Sequence, residues 1–236
     1  MLGGRNVKLN NIFGVDIDQQ AVEVTKLSLL LKVLEGEKGE RIAKQLTITQ
    51  ERVLPSLHEN IKCGNSLIGS DIYSNGQMAF DNDEEFYRIN AFDWNQEFAG
   101  VFEQGGFDAV IGNPPWGAIF TPYEQTYLRN KFVTANGRNI DSYVVFIEGG
   151  LDKLKNGGLL SHITPDTFLR KDDHVTARRL LLEKTNISEM IETGPVFSKV
   201  RDTWCLVFRV INEIPTINSK ILHKNLSRYI VSAEER

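Results

Sequence analysis

Cysteine is scarce in this chain: of 236 residues only Cys63 and Cys205 carry a thiol, far apart and with no Cys-x-x-Cys spacing. That excludes a zinc ligand set or a disulfide framework as the organising feature, and the expected setting is a reducing cytoplasm. No apolar run approaches the ~18 residues that a membrane-spanning helix needs, and no basic-then-apolar leader marks the chain for secretion. Internal repeats and low-complexity stretches are absent. His58, His162, His174 and His223 have no partner at catalytic spacing and read as structural. No metal site is expected.

What is present begins with an ordinary globular composition. Forty-one per cent of the residues are hydrophobic, enough for the core of one domain. The net charge of −4 is small, but it is unevenly spread. Residues 1–112 hold 10 basic and 17 acidic side chains, residues 113–169 five of each, and residues 170–236 hold 12 and 9. An acidic front and a mildly basic rear would let a polyanion meet the C-terminal part, although such asymmetries are usually solvated faces.

Strand and helix patterns alternate along the chain. A strand is expected over 11–17, with Asp18 capping a helix that runs through Ala21, Val22, Leu27, Leu30 and Leu31. Residues 36–60 look helical in pieces, broken at Pro55. A short strand follows at 61–63, and residues 69–90 read as a polar surface excursion. Next come a helix over 93–102, a buried strand from Phe107, a helix over 139–155 and a strand over 158–164. A helix over 173–184 and strands over 187–192 and 203–210 complete the pattern. This order predicts an α/β domain with a mostly parallel sheet.

The most informative stretch is Asn113-Pro114-Pro115-Trp116, directly after the apolar run Phe107-Asp108-Ala109-Val110-Ile111-Gly112. The prolines fix φ, and Pro114 pushes Asn113 out of helical geometry, so the asparagine side chain takes a set direction. The turn offers two acceptors, the Asn113 amide oxygen and the Pro114 carbonyl, beside the aromatic plane of Trp116. That set suits a planar ring bearing an exocyclic NH2, such as adenine. Two acceptors holding both N–H bonds favour a more tetrahedral nitrogen and stabilise the positive charge that develops on it during attack. Trp116 would stack on a base swung out of a duplex. The purely structural alternative is a Pro-Pro turn closing a strand, with tryptophan packed at its edge.

In open α/β sheets ligands sit at the C-terminal ends of strands. Asp16 closes the first strand, where a carboxylate can accept from both hydroxyls of a ribose; Asp18 already supplies the helix cap. Asn65 closes the second strand and can bond an adenine edge, or be a simple turn residue. Asn113 closes the third.

These residues carry a family resemblance. Phe13-Gly14-Val15-Asp16-Ile17-Asp18, Cys63-Gly64-Asn65-Ser66-Leu67 and the segment from Gly106 to Trp116 stand in the order seen in S-adenosylmethionine-dependent DNA adenine-N6 methyltransferases. More narrowly, the chain resembles the methylase region of single-chain, type IIG-like restriction–modification enzymes and related phage-defence methylases. The runs Phe92-Asp93-Trp94-Asn95, Gly157 to Pro165, Gly194-Pro195-Val196-Phe197 and Trp204 to Phe208 fit the same pattern, so that the resemblance spans about residues 11–210.

The resemblance implies a Rossmann-like methyltransferase sheet with S-adenosylmethionine as cofactor. Asp16 would bind its ribose, Ile17 would line its adenine, and Asn65 with Ser66 would sit near its adenine amino group. Asn113, Pro114, Pro115 and Trp116 would form the catalytic turn, and Phe197 would stack on the other face of the target base. Lys199 and Arg201 would contact the phosphates of double-stranded DNA. A prokaryotic cytoplasm, at the nucleoid, is the implied location.

The departures set further expectations. The family's central first strand and glycine-rich cofactor loop have no counterpart before Asp16. The reading is a partial catalytic domain over 1–212 and the start of a C-terminal extension or recognition region over 213–236. A second polypeptide or a missing N-terminal segment would complete the sheet, and the chain alone is expected to bind S-adenosylmethionine poorly. Three alternatives stand beside this reading. Asn-Pro-Pro-aromatic also serves methyltransferases acting on a glutamine amide of release factors or on guanine amines of ribosomal RNA. The chain is otherwise a non-catalytic nucleic-acid-binding module, or one half of a split enzyme.

Overall fold

The computed structural model describes residues 11–34, 56–75, 83–196 and 204–226. The chain divides into two compact units, residues 1–94 and 95–236.

In the first unit, strand β1 (Gly14–Asp16) runs parallel to β2 (Ile61–Cys63). Helix α1 (Gln19–Leu34) follows β1 and is capped by Asp18, whose Oδ1 accepts the Gln20 N–H at 2.7 Å, as the sequence predicts. Val22 on α1 is buried with Leu57 and Ile61, and Leu29 and Leu30 pack against them. The spacing of Val22, Leu29 and Leu30 puts them on one helical face.

The segment read as a polar surface excursion, 69–90, is built differently. It contains a 3-10 turn (Ser70–Asn75) and helix α2 (Asp83–Ile89), and both Ile72 and Ile89 are buried. Tyr73 stacks on Phe86 with ring centroids 4.8 Å apart. Two isoleucines and an aromatic pair are enough to fold a predominantly polar segment back onto a core.

The second unit carries a five-stranded sheet in the order β3-β4-β6-β5-β7. Its strands are β3 (Phe107–Gly112), β4 (Leu154–Pro165), β5 (Asn186–Pro195), β6 (Trp204–Ile211) and β7 (Leu222–Asn225). Helices α3 (Pro122–Lys131), α4 (Ser142–Leu151) and α5 (Val175–Lys184) connect and cover them. Tyr143, Ile147 and Leu151 of α4, Ala177 and Leu181 of α5, and Leu206, Phe208 and Val210 of β6 make one buried core with Leu160 and Phe168.

Three expectations are corrected in this unit. The sheet is mixed, not mostly parallel: β3 pairs parallel with β4 and β5 with β7, but β6 runs antiparallel to both of its neighbours, β4 and β5. Only residues 196–203 separate β5 from β6, too short a connection for the crossover that a parallel pair needs. The helix expected over 93–102 is two single turns, Trp94–Glu97 and Ala99–Phe102. Phe98 interrupts them, at φ −127° and ψ 42°, where its buried ring meets Phe107 edge-on at 6.1 Å.

Finally, β3 is not a buried strand. Among the described residues it pairs with β4 alone, and Ile111 is 87% exposed. An apolar run reports what a strand could bury, not whether a neighbour covers it.

Candidate active site

Asp16 ends β1 and is exposed. Its Oδ1 accepts the Asp18 N–H at 2.9 Å, while Asp18 itself caps α1. Asp18 thus supplies the helix cap expected of it, and Asp16 holds the turn with one oxygen of its exposed carboxylate. Ile17 beside it is 55% exposed, an apolar surface next to a carboxylate at a strand end. Its carbonyl accepts the Cys63 thiol at 3.5 Å, which ties the turn to β2.

Asn65 follows β2. Its backbone N–H donates to the Asn90 carbonyl at 2.6 Å, and its Oδ1 accepts the Leu67 N–H at 3.1 Å. Fixed in this Asx turn, the side chain keeps its NH2 as a donor for a ring nitrogen. The Ser66 carbonyl accepts the Trp94 indole N–H at 3.0 Å. At Gly64 a Cβ would stand 2.5 Å from the Phe92 ring, so only glycine lets the Asn65 turn approach this closely. An exposed carboxylate, an exposed apolar side chain and an amide at two adjacent strand ends fit the ribose and adenine of a nucleoside.

In the second unit, the register pairs Gly112 with His162 as β3 ends. The next residue, Asn113, is exposed, Pro114 is buried and Pro115 is exposed. Among the described residues, neither the Asn113 amide nor the Pro114 carbonyl has a hydrogen-bond partner. Both acceptors are thus uncommitted, Asn113 at the surface and Pro114 at a buried position. The Pro115 carbonyl is not, because the Ser142 hydroxyl donates to it at 2.5 Å. Trp116 is half-buried and packs against the core of this unit, which fixes one part of the indole and leaves the rest at the surface. Gly117 then reverses the chain at φ +81°, a conformation that favours glycine.

The groups behind this turn were not singled out in the sequence. Ser142, fully buried, also accepts the Ala118 N–H at 3.2 Å. Next to it, the Asp141 carboxylate is bonded to His174 Nε2 at 2.6 Å and to Lys171 Nζ at 3.0 Å. The Tyr143 hydroxyl lies 3.4 Å from His174 Nδ1. Burial raises the pKa of this phenol to about 12, against the opposing effect of its bond with Thr167. His162 is buried, has no hydrogen bond at Nδ1, and is held neutral by desolvation, its pKa lowered to about 4. The one legible signal was Asp141-Ser142 ahead of the apolar run of α4, which reads as an ordinary helix cap.

Phe197, Lys199 and Arg201 lie outside the described residues.

With this geometry in place, the relatives give it a family. The sequence matches the Eco57I restriction-modification methylase family over residues 10–197. It is 34% identical over 211 residues to the type II restriction enzyme and methyltransferase RM.Eco57I of Escherichia coli, a match covering 86% of this chain and 19% of that protein. The chain therefore spans about a fifth of the length of this relative. The fold is similar to part of the Type ISP restriction-modification enzyme LlaGI, solved as a nuclease-deletion mutant in complex with a DNA substrate mimic. The TM-score is 0.59 at 12% identity, over 94% of this chain and 18% of that one. LlaBIII, an ATP-dependent Type ISP restriction-modification enzyme bound to DNA, superposes with a TM-score of 0.58 at 15% identity, over 93% of this chain and 15% of that one. The family match over residues 10–197 and the 34% identity to RM.Eco57I across most of the sequence lead to one conclusion: this chain belongs to the Eco57I restriction-modification methylase family.

Proposed function

We propose that the chain is the methyl-transferring part of a DNA (adenine-N6) methyltransferase in a restriction–modification or phage-defence system. The observation that carries this reading is the pair of uncommitted acceptors, Asn113 Oδ1 and the Pro114 carbonyl, beside the half-buried Trp116. A flipped-out adenine offers N6 with two N–H donors and a flat ring. The two acceptors would hold both donors and keep the lone pair off the ring plane. Trp116 would replace the stacking lost when the base leaves the duplex. Bound S-adenosylmethionine would supply an electrophilic sulfonium methyl; the N6 lone pair would take it as the S–CH3 bond breaks and S-adenosylhomocysteine leaves. The N6 proton then leaves to water, so no general base is needed.

Asp16 would accept from the ribose hydroxyls, Ile17 would cover the cofactor's adenine, and Asn65 with Ser66 would meet its edge. By the same reading Phe197 stacks on the second face of the target base, and Lys199 and Arg201 meet DNA phosphates. The open side of β3, with Ile111 exposed, suits a further strand supplied by a longer polypeptide or a second chain. Residues 213–236 would lead into a recognition region. The site of action would be the DNA of a prokaryotic cell.

The test is transfer of a labelled methyl group from S-adenosylmethionine to unmethylated genomic DNA by the chain together with a segment supplying the further strand and glycine-rich loop, followed by nucleoside mass spectrometry. N6-methyladenine is the expected product, and Asn113→Ala should abolish it while leaving the thermal midpoint close to wild type. Label on a release-factor glutamine or on guanine, and none on DNA, would move the substrate to those planar amines. Activity that survives Asn113→Ala would remove the turn from the chemistry.

A further inference from the structure

We infer that Ser142 is the positioning residue for Trp116, with its single hydroxyl fixing the chain on both sides of the indole. The inference rests on the reading of Trp116 as the stacking platform for the target base. The hydroxyl donates to the Pro115 carbonyl at 2.5 Å and accepts the Ala118 N–H at 3.2 Å. One oxygen therefore staples the residue before Trp116 to the residue two beyond it, and Gly117 reverses the chain between them at φ +81°. A serine at the start of a helix commonly bonds within its own first turn. Here the bond reaches a carbonyl 27 residues earlier in the sequence.

Three features give this staple an orienting role. Ser142 is completely buried, so no solvent molecule can readily replace a lost bond. Its place is set from behind, because Asp141 and Tyr143 on either side both meet His174. Lastly, occupying the Pro115 carbonyl leaves Asn113 Oδ1 and the Pro114 carbonyl as the uncommitted acceptors of the turn. The staple thus separates the carbonyl that holds the loop from the one that holds the substrate. An indole tilted by a shift of about 1 Å would stack poorly on a base held at N6, and misplacement of that size is costly in rate.

The experiment uses the full chain labelled with 5-fluorotryptophan, whose three resonances are assigned by replacing Trp94, Trp116 and Trp204 in turn by Phe. In Ser142→Ala the Trp116 resonance should shift and broaden, while those of Trp94 and Trp204 stay in place. Ser142→Thr, which keeps the hydroxyl, should stay near wild type, and its isostere Ser142→Val should behave like Ala. Methyl transfer to genomic DNA should lose roughly tenfold in kcat in the Ala variant, with little change in KM for S-adenosylmethionine. An unmoved Trp116 resonance in Ser142→Ala would overturn the inference. If Ser142→Ala does not fold, identical Trp116 spectra for the Thr and Val variants would overturn it equally. The fluorine spectra need no substrate. A wild-type chain that transfers no methyl even when supplied with the segment that completes its sheet would therefore count against the proposed function, while the spectra still decide the role of Ser142.

Discussion

His174 Nε2 lies 2.6 Å from Asp141 Oδ2, joining two residues 33 positions apart at the start of helix α4. Asp141 occupies the cap position of that helix yet makes no side-chain capping bond. Its carboxylate is turned to His174 and Lys171 instead. Burial acts to raise its pKa, but the bonds from His174 and Lys171 outweigh it and hold the group below the ordinary carboxylate value.

A depressed carboxylate stabilises the fold above its unfolded pKa, and that contribution is lost as the pH falls through the folded value. Asp141→Asn should therefore cost about 1.5–3 kcal/mol at neutral pH, the range for a hydrogen bond to a charged group. The gap to wild type should close below about pH 4. Urea unfolding at neutral and acid pH measures this. A gap that stays constant with pH would assign the effect to shape alone.

His162 titrates in the opposite sense to a paired histidine. Its pKa is lowered to about 4 by burial, against about 6.5 when unfolded. Between those values the unfolded chain binds a proton that the folded chain refuses. Its contribution is complete above about pH 6.5 and falls by roughly 3 kcal/mol on the way down to about pH 4. His162→Leu should flatten the stability profile across that window, measured by denaturant midpoints at half-unit steps. Parallel profiles for the two proteins would show that another group titrates there.

Glu148 is buried and takes three bonds: Val133 N–H at 3.1 Å, Thr134 N–H at 2.9 Å and the Thr134 hydroxyl at 2.7 Å. It caps the 3-10 turn Val133–Asn136 from a helix of its own. Glu148→Ala would strand these donors and should destabilise by about 2–4 kcal/mol, more than Glu148→Gln, which keeps one acceptor. Thermal melts of the two variants compare them directly.

Glu148 also marks the limit of what could be read from the sequence. Strand ends at Asp16, Asn65 and Asn113 were legible, because each follows an apolar run into residues with strong local preferences. The cap at Asp18 was legible for the same reason. Helix α3 was overlooked although its start is local and conventional: Thr121 and Glu124 form a reciprocal capping box with Pro122 at the first position, a spacing the sequence displays openly. The antiparallel placement of β6 and the exposure of β3 could not be read, since both depend on which strands become neighbours. The supports of the turn were hidden for the same reason. Ser142 meets Pro115, and His174 meets Asp141, only after the chain has folded.

The antiparallel position of β6 bears on how this protein is made. β4 leaves the ribosome early, but its second neighbour, β6, is the stretch Trp204–Ile211. Until that stretch emerges, β4 has a partner only in β3, and Phe168 lacks the buried Phe208 ring on which it finally stacks, with centroids 6.0 Å apart. Elements in a unit of this kind settle together rather than one by one. A nascent chain halted before Trp204 would therefore already hold the whole of Asn113 to Trp116 without the sheet that frames it. The Asn113–Trp116 turn would thus be translated well before the strand that completes its sheet.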